Sequence, residues 1–371
     1  MRKILLATTA LVGFVAAGAA QAATAPLNVT VGGDINFVAG AFHESRISTN
    51  SATPAGADFQ TLYSLNFGVT GKAANGLEYG GNLVLDNHSN AYEANYAGEV
   101  DGIRVTQADI FMSGAYGKIR MGDFRGATEL AVAAPSVGGL SYVSFLNAST
   151  SFAKDIVYGI DTKNYDTNIT YYTPKVGNEM GKVQAAVTYV PKIGQRGSQV
   201  LLARGDEYKN LVKAAVTYAG NIQKVAVNAS AHVVTGDTQA LPATLEDFTS
   251  WGIGVQAAYQ GFTVGGNYID LDDYNITSAD RKSQATYTAG IKYEFGKYVV
   301  GFDWLGAEGY SDAAYAGSYV KDFNAYSFGG AYTWAPGLTT TVNAVLFNQD
   351  AQTNTSDNEG YVLLVSQKLA F

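Results

Sequence analysis

Residues 361–371 read Tyr361-Val362-Leu363-Leu364-Val365-Ser366-Gln367-Lys368-Leu369-Ala370-Phe371 and end the chain. Tyr361, Leu363, Val365, Leu369 and Phe371 fall on one face of an extended segment; Leu364, Ser366, Lys368 and Ala370 fall on the other. A period of two residues over this length specifies a β-strand. Finishing on a bare strand with a terminal aromatic is unusual for a soluble protein. It suits a strand that seals a membrane barrel, whose last ring can lie in an interfacial girdle. Gln367 is the exception, a polar residue on the apolar face.

The other end supplies a complementary signal. Arg2 and Lys3 form a basic segment, Ile4 to Gly18 is apolar, and Ala20-Gln21-Ala22 has the small-x-small form of an export cleavage site. The expected division is a signal peptide over 1–22 and a single domain over 23–371. Beyond the signal, no apolar run is long enough to cross a bilayer as a helix. The exported chain is therefore expected to be a secreted soluble protein or an outer-membrane barrel.

Composition favours the barrel. Charged residues make up 15%, against about 25% in ordinary globular proteins. There are 42 Gly, 25 Tyr and 7 Pro. Gly weakens helices, whereas Gly and Tyr suit tilted strands between aromatic belts. The mean hydropathy of −0.01 is what results when a wet face and a lipid face average out. With no Cys, disulfides and thiolate metal sites are excluded. Without Arg2 and Lys3 the chain has 22 basic against 32 acidic residues, a formal charge of −10. That balance argues against nucleic acid as a partner and points to a bore that prefers cations.

Sixteen alternating segments are expected. They are Val29–Ala41, Phe59–Ala73, Leu77–Asp86, Val105–Ser113, Lys118–Phe124, Asn168–Pro174, Lys182–Val190, Tyr208–Tyr218, Gln223–Val234, Trp251–Tyr259, Phe262–Leu271, Gln284–Phe295, Tyr298–Gly306, Tyr326–Trp334, Leu338–Asn348 and the closing strand. Gly-marked turns such as Asn75-Gly76 alternate with longer polar loops. Short turns on one side and long loops on the other are the rhythm of an outer-membrane barrel. An even count lets first and last strands pair and removes the exposed edges. Tyr171, Tyr172, Tyr189, Tyr218, Tyr259, Tyr268, Tyr293, Phe295, Tyr298, Trp304, Tyr332, Trp334 and Phe371 lie near strand ends and are assigned to an interfacial girdle.

One connection breaks the rhythm. Between Phe124 and Asp166 no transmembrane strand is evident, and 130–140 (LAVAAPSVGGL) is apolar. Long structureless connections are usually functional. Sixteen strands enclose a lumen too wide for side chains to fill, so this loop is expected to fold inward and set the narrowest section.

The chain here resembles the Gram-negative general-diffusion porins, particularly the alphaproteobacterial type. The resemblance spans the mature chain. It is carried by the signal peptide, the strand rhythm, Asn168-Ile169-Thr170-Tyr171-Tyr172-Thr173-Pro174, the lead Arg120-Met121-Gly122-Asp123 into the long third loop, and Phe371. It implies an all-β, 16-stranded antiparallel transmembrane barrel with an infolded third loop. It further implies a homotrimer among outer-membrane lipid and lipopolysaccharide, passing small polar solutes and ions without catalysis. Many relatives carry Pro-Glu-Phe-Gly-Gly in that loop; here the frame is Pro135-Ser136-Val137-Gly138-Gly139, without the acidic residue.

The constriction is therefore assigned provisional acids, Glu129 and Asp123. Alternation points Arg120 (with Lys118 and Gly122), Lys213 (with Thr217) and Asp34 (with Thr30 and Asn36) into the lumen. Arg104 and Arg125 lie beside strand ends. Rings of such charge at a neck tune selectivity. No cofactor is expected: His43, His88 and His232 have no metal-triad spacing, and Asp270–Asn275 lacks the Gly and Glu of a calcium loop. The rival readings are a substrate-selective sugar channel, which needs an aromatic slide in the lumen, and a soluble secreted β-protein such as a lectin or hydrolase.

Overall fold

A computed structural model describes residues 27–44, 56–87, 104–137, 165–193, 208–238, 247–272, 284–311, 319–351 and 357–371. The expected signal peptide, His88 and the part of the third loop from 138 to 164 lie outside these residues.

The described residues form one closed antiparallel sheet. Its strands are β1 (Asn28–Glu44), β2 (Ala57–Lys72), β3 (Glu78–Asp86), β4 (Arg104–Gly114), β5 (Gly117–Asp123), β6 (Thr167–Tyr172), β7 (Val176–Asn178), β8 (Gly181–Lys192) and β9 (Tyr208–Ile222). They continue as β10 (Val225–Thr238), β11 (Phe248–Tyr259), β12 (Phe262–Asp272), β13 (Gln284–Phe295), β14 (Tyr298–Ser311), β15 (Tyr319–Ala335), β16 (Leu338–Ala351) and β17 (Asn358–Ala370). Both β6 and β7 pair with β8. They are two pieces of one crossing, interrupted around Pro174, whose missing N–H cannot join a ladder. The barrel thus has 16 crossings from 17 strand segments. The expected strands are present, several extended at the long-loop end; His43, expected in a loop, belongs to β1.

Closure is local and direct. Strand β1 pairs with β2 and with β17. The last residue completes the ladder: Gly33 N donates to Phe371 O at 2.9 Å, and Phe371 N donates to Gly33 O at 3.0 Å. Among the described residues the sheet closes without a free edge that could template another chain, so its ladders pair within the wall, as a hydrocarbon environment requires. The Gln260-Gly261 hairpin shows how the short turns are made. Both residues have positive φ, 48° and 86°, the geometry of a type I′ turn that matches strand twist.

Parity is set by this closure. Along β17 and the residue after it, Tyr361, Leu363, Val365, Leu369 and Phe371 are exposed, whereas Val362, Leu364 and Ser366 are buried. A single-layered cylinder has no second layer outside, so the exposed apolar set faces lipid and the alternate set faces the bore. Gln367 is on the outer face, but its polar atoms are engaged. Its Oε1 accepts from Thr340 Oγ1 at 2.6 Å and its Nε2 donates to Thr339 O at 3.3 Å. Trp334 Nε1 in turn donates to Thr340 Oγ1.

Ring contacts run along the short-turn rim: Phe262–Tyr293, Tyr293–Phe295, Phe295–Tyr298, Tyr298–Tyr332 and Tyr332–Trp334, with centroids 4.2–5.4 Å apart. Trp251–Tyr268 and Tyr287–Trp304 mark a second level on the outer face. Tyr172, assigned to the girdle by sequence, instead points into the bore and is buried. The inner wall is also less polar than alternation suggests. Val190, Tyr208, Leu211, Val234, Phe248, Ile269 and Leu271 form a buried cluster at the long-loop end of β8–β12.

Candidate pore constriction

Strand β5 ends at Asp123, and the chain enters a short 3-10 helix, Gly126–Leu130, followed by an extended ribbon through Val137. The ribbon lies against residues of bore-facing parity. Ala127 N donates to Thr188 Oγ1 at 2.6 Å, Val132 N to Ser230 Oγ at 2.7 Å, and Ala134 N to Thr288 Oγ1 at 3.3 Å. Gln256 Nε2 donates to Ala133 O at 2.6 Å. Val132 O stands against Gly254, Pro135 O against Gly290, and Val137 against Gly301 and Gly329. Gly254 is buried between the lipid-exposed Ile253 and Val255, so this contact is made inside the cylinder. The described first part of the third loop is therefore folded inward, crossing the inner wall from β8 to β15.

The helix is moored by charge. Arg120, inward on β5, makes a two-bond fork with Asp109: Nε to Oδ2 at 2.7 Å and Nη2 to Oδ1 at 2.8 Å. Its Nη1 reaches both carboxylate oxygens of Glu129 at 2.9 Å. The guanidinium also lies over the Phe124 ring, 4.0 Å from its centroid. Planar, five-donor geometry makes Arg the residue suited to holding two carboxylates. Asp109 further accepts from Asn82 Nδ2 at 3.1 Å and Gln107 Nε2 at 2.8 Å. Glu129 accepts from Tyr172 OH at 3.1 Å. These three groups sum to one negative charge, with Lys118, Lys213 and Arg125 as positive charges nearby.

The remaining sequence-nominated residues are distributed around this centre. Lys213 is fully buried, and its Nζ donates to Arg125 O at 3.4 Å. The Arg125 guanidinium stands 5.1 Å from the Tyr165 ring centroid. Asp123 lies on the parity of Ile119 and Met121, opposite to Arg120, and accepts from Thr167 Oγ1 at 2.6 Å. Asp34 faces the bore well away in register, near the closing strand, with Lys368 Nζ at 3.4 Å and Ser64 Oγ at 3.1 Å. Arg104 opens β4 opposite Asp86. The structure thus joins Arg120 to Glu129, brings Lys213 and Arg125 beside the helix, and sets Asp34 apart.

Sequence reasoning missed Asp109, which is buried at the hub. The hairpin pairs Gly114 with Gly117 and Phe111 with Arg120, so Asp109 is the diagonal bore-facing neighbour of Arg120. Ser136 is exposed between buried Pro135 and Val137. It occupies the position at which the resembling family's motif has its acid. Among the described residues no group of three or more His, Asp or Glu is arranged to hold a metal ion.

A closed 16-crossing barrel with an apolar exterior and an inserted loop defines a membrane channel. A sequence profile of the Gram-negative porin family matches residues 7–352, and the chain belongs to that family. It is an outer-membrane channel. Several solved structures share its fold. An outer-membrane channel, DcaP of Acinetobacter baumannii, has a TM-score of 0.64 at 13% identity, covering 95% of this chain and 100% of that one. A porin (TM-score 0.57, 19% identity) and an anion-selective porin from Comamonas acidovorans (0.57, 14%) each cover 93% of this chain and 100% of theirs. No curated protein matches the sequence.

Proposed function

We propose that this porin passes small hydrophilic solutes and ions by passive diffusion, with the 125–137 segment narrowing the passage and a mild preference for cations. The observation that carries this reading is the seating of the Val132 and Pro135 carbonyls on inward Gly254 and Gly290. A ribbon laid on the inner wall narrows the bore. No chemical step is needed; diameter and the charge at the neck determine what passes. The chain's acidic balance supports the cation preference. Glu129 is proposed as its acid, with Arg120, Arg125, Arg104, Lys213 and Asp34 as the other charges that shape the field; Asp123, on the parity opposite to Arg120, is left out of the neck.

The proposed assembly is a homotrimer bedded in lipid and lipopolysaccharide, after removal of a signal peptide near Ala23. Small outward residues Gly33, Ala39, Gly81 and Ala108, on β1, β3 and β4, support a subunit contact on that side. The stacked rim rings lie on β12–β15 and support a lipid-facing side there.

Planar-bilayer recording of purified protein tests the reading. Ohmic steps that close in threes, and a reversal potential that moves toward anions in Glu129→Gln, are expected. An unchanged reversal potential overturns that assignment. Saturable flux of one sugar in liposome swelling would replace general diffusion with a substrate-selective channel.

A further inference from the structure

We propose that Gly254, Gly290, Gly301 and Gly329 set the width of the pore, a role that rests on the inward seating of the third loop. They form an inclined gutter of bore-facing positions on β11, β13, β14 and β15; Asn267 on β12 lies between the first two, and Thr288 precedes Gly290 by two residues on β13. Gly301 and Gly329 are direct cross-strand partners, and Asn343 follows on β16. A side chain at Gly254 would overlap Val132 O, and one at Gly290 would overlap Pro135 O. Both obstructing atoms are backbone and cannot rotate away. At Gly301 the obstructions are Val137 Cγ2 at 2.6 Å and the wall's own Ile291 O at 2.7 Å, and at Gly329 they are Val137 Cβ and Asn343 Nδ2, both at 2.7 Å.

The ribbon cannot slide along the wall to avoid an added methyl group. Ser230, Gln256 and Thr288 hold it by hydrogen bonds on either side of Gly254. The remaining direction is away from the wall, toward the axis of the bore. Relieving a backbone overlap of this kind requires a displacement of about 1 Å. Absence of a side chain at these four positions therefore keeps the passage open by the thickness of one methyl layer. Where alternation would otherwise place Thr, Ser or Asn, glycine is what this wall needs to accept the ribbon flush.

The test compares Gly254→Ala and Gly290→Ala with Gly330→Ala in planar bilayers. Gly330 has lipid-facing parity, and its nearest atom is Val299 O at 3.9 Å, so alanine fits there. The gutter variants are expected to conduct on the order of 1.5-fold less than the parent and to exclude solutes that the parent admits. Gly330→Ala is expected to match the parent. If a backbone-blocked variant does not fold, Gly329→Ala serves instead, since the atoms nearest its added methyl, Asn343 Nδ2 and Val137 Cβ, belong to side chains; a smaller decrease is expected. Unchanged or increased conductance in folded gutter variants overturns the proposal. Cross-linking of the ribbon to the wall in those same variants, by the cysteine pair described at the close of the Discussion, separates the two failures. A cross-linked ribbon with unchanged conductance removes the gutter alone; a ribbon that does not cross-link even in the parent removes the inward seating on which it rests.

Discussion

Replacing Glu129 by Ala removes the mooring of the 3-10 helix while leaving the rest of the ribbon attached. Glu129 accepts two contacts at 2.9 Å from Arg120 Nη1 and one at 3.1 Å from Tyr172 OH. Hydrogen bonds to charged groups contribute about 1.5–3 kcal/mol each in the interior. The Glu129 side chain is 29% exposed, which discounts the sum through solvent screening, and Arg120 keeps its Asp109 fork. A loss of about 2 kcal/mol in docking is expected, roughly a thirtyfold rise in the undocked fraction of residues 126–130. Ser230, Gln256 and Thr288 still hold the flanking chain, and Thr188 remains as the one wall hydroxyl that accepts from Ala127 within the helix, so mean conductance changes little. The expected signature is open-channel noise at fixed voltage, increased in Glu129→Ala and much less in Glu129→Gln, which preserves shape and one carbonyl acceptor. Equal noise in parent and Glu129→Ala would refute the mooring. Equal noise in Gln and Ala variants would show that charge, and not the geometry of the contacts, is what matters.

Other perturbations follow from the same contacts. Asp109→Asn removes one of two carboxylates from a buried guanidinium whose side chain is 9% exposed; a cost of about 3 kcal/mol is expected. The temperature at which the barrel loses its folded gel mobility should fall further than for Glu129→Ala. Ser136→Glu adds a charge at the exposed ribbon position and should raise cation over anion permeability about two- to threefold, read as a reversal potential in a salt gradient. Ile253→Lys puts a charge on the lipid face at a position that is 52% exposed, at a cost of about 2–4 kcal/mol near the bilayer midplane. Asn66→Lys, of bore-facing parity, should retain parental stability and change only conductance.

The barrel was legible because its signal is repeated. Sixteen alternating segments, each with two faces of opposite polarity, accumulate evidence that one strand could not give, and the terminal Phe371 pairs as a sealing strand should. Lipid-face residues such as Leu65, Ile253 and Tyr287 follow from parity alone. The neck was less legible. Parity gave the bore-facing orientation of Arg120, Lys213 and Asp34, but parity does not say which charges meet. Asp109 was overlooked because it looked like one more polar residue in an alternating strand. Counting back from the Gly114–Gly117 turn would have placed it beside Arg120. Asp123, the last residue of β5, continues the parity of Ile119 and Met121, opposite to that of Arg120. Tyr172 resembles any strand-end aromatic until Glu129 arrives from another part of the chain to accept its hydroxyl. The gutter glycines carry no periodic signal at all. Their meaning depends on a ribbon more than a hundred residues earlier in sequence, and only the closed sheet brings the two together.

The central claim is that the third loop enters the barrel and lies on its inner wall. The chain has no native cysteine, so one introduced pair reports this without background. Val137 Cβ lies 2.7 Å from where a Gly329 Cβ would stand, within about 1 Å of the spacing that a disulfide spans. Oxidation of Val137→Cys with Gly329→Cys is expected to give a quantitative intramolecular bond in barrels that still conduct, whereas Val137→Cys with the lipid-facing Gly330→Cys stays reduced. A conducting barrel in which the 137/329 pair never cross-links would contradict the account.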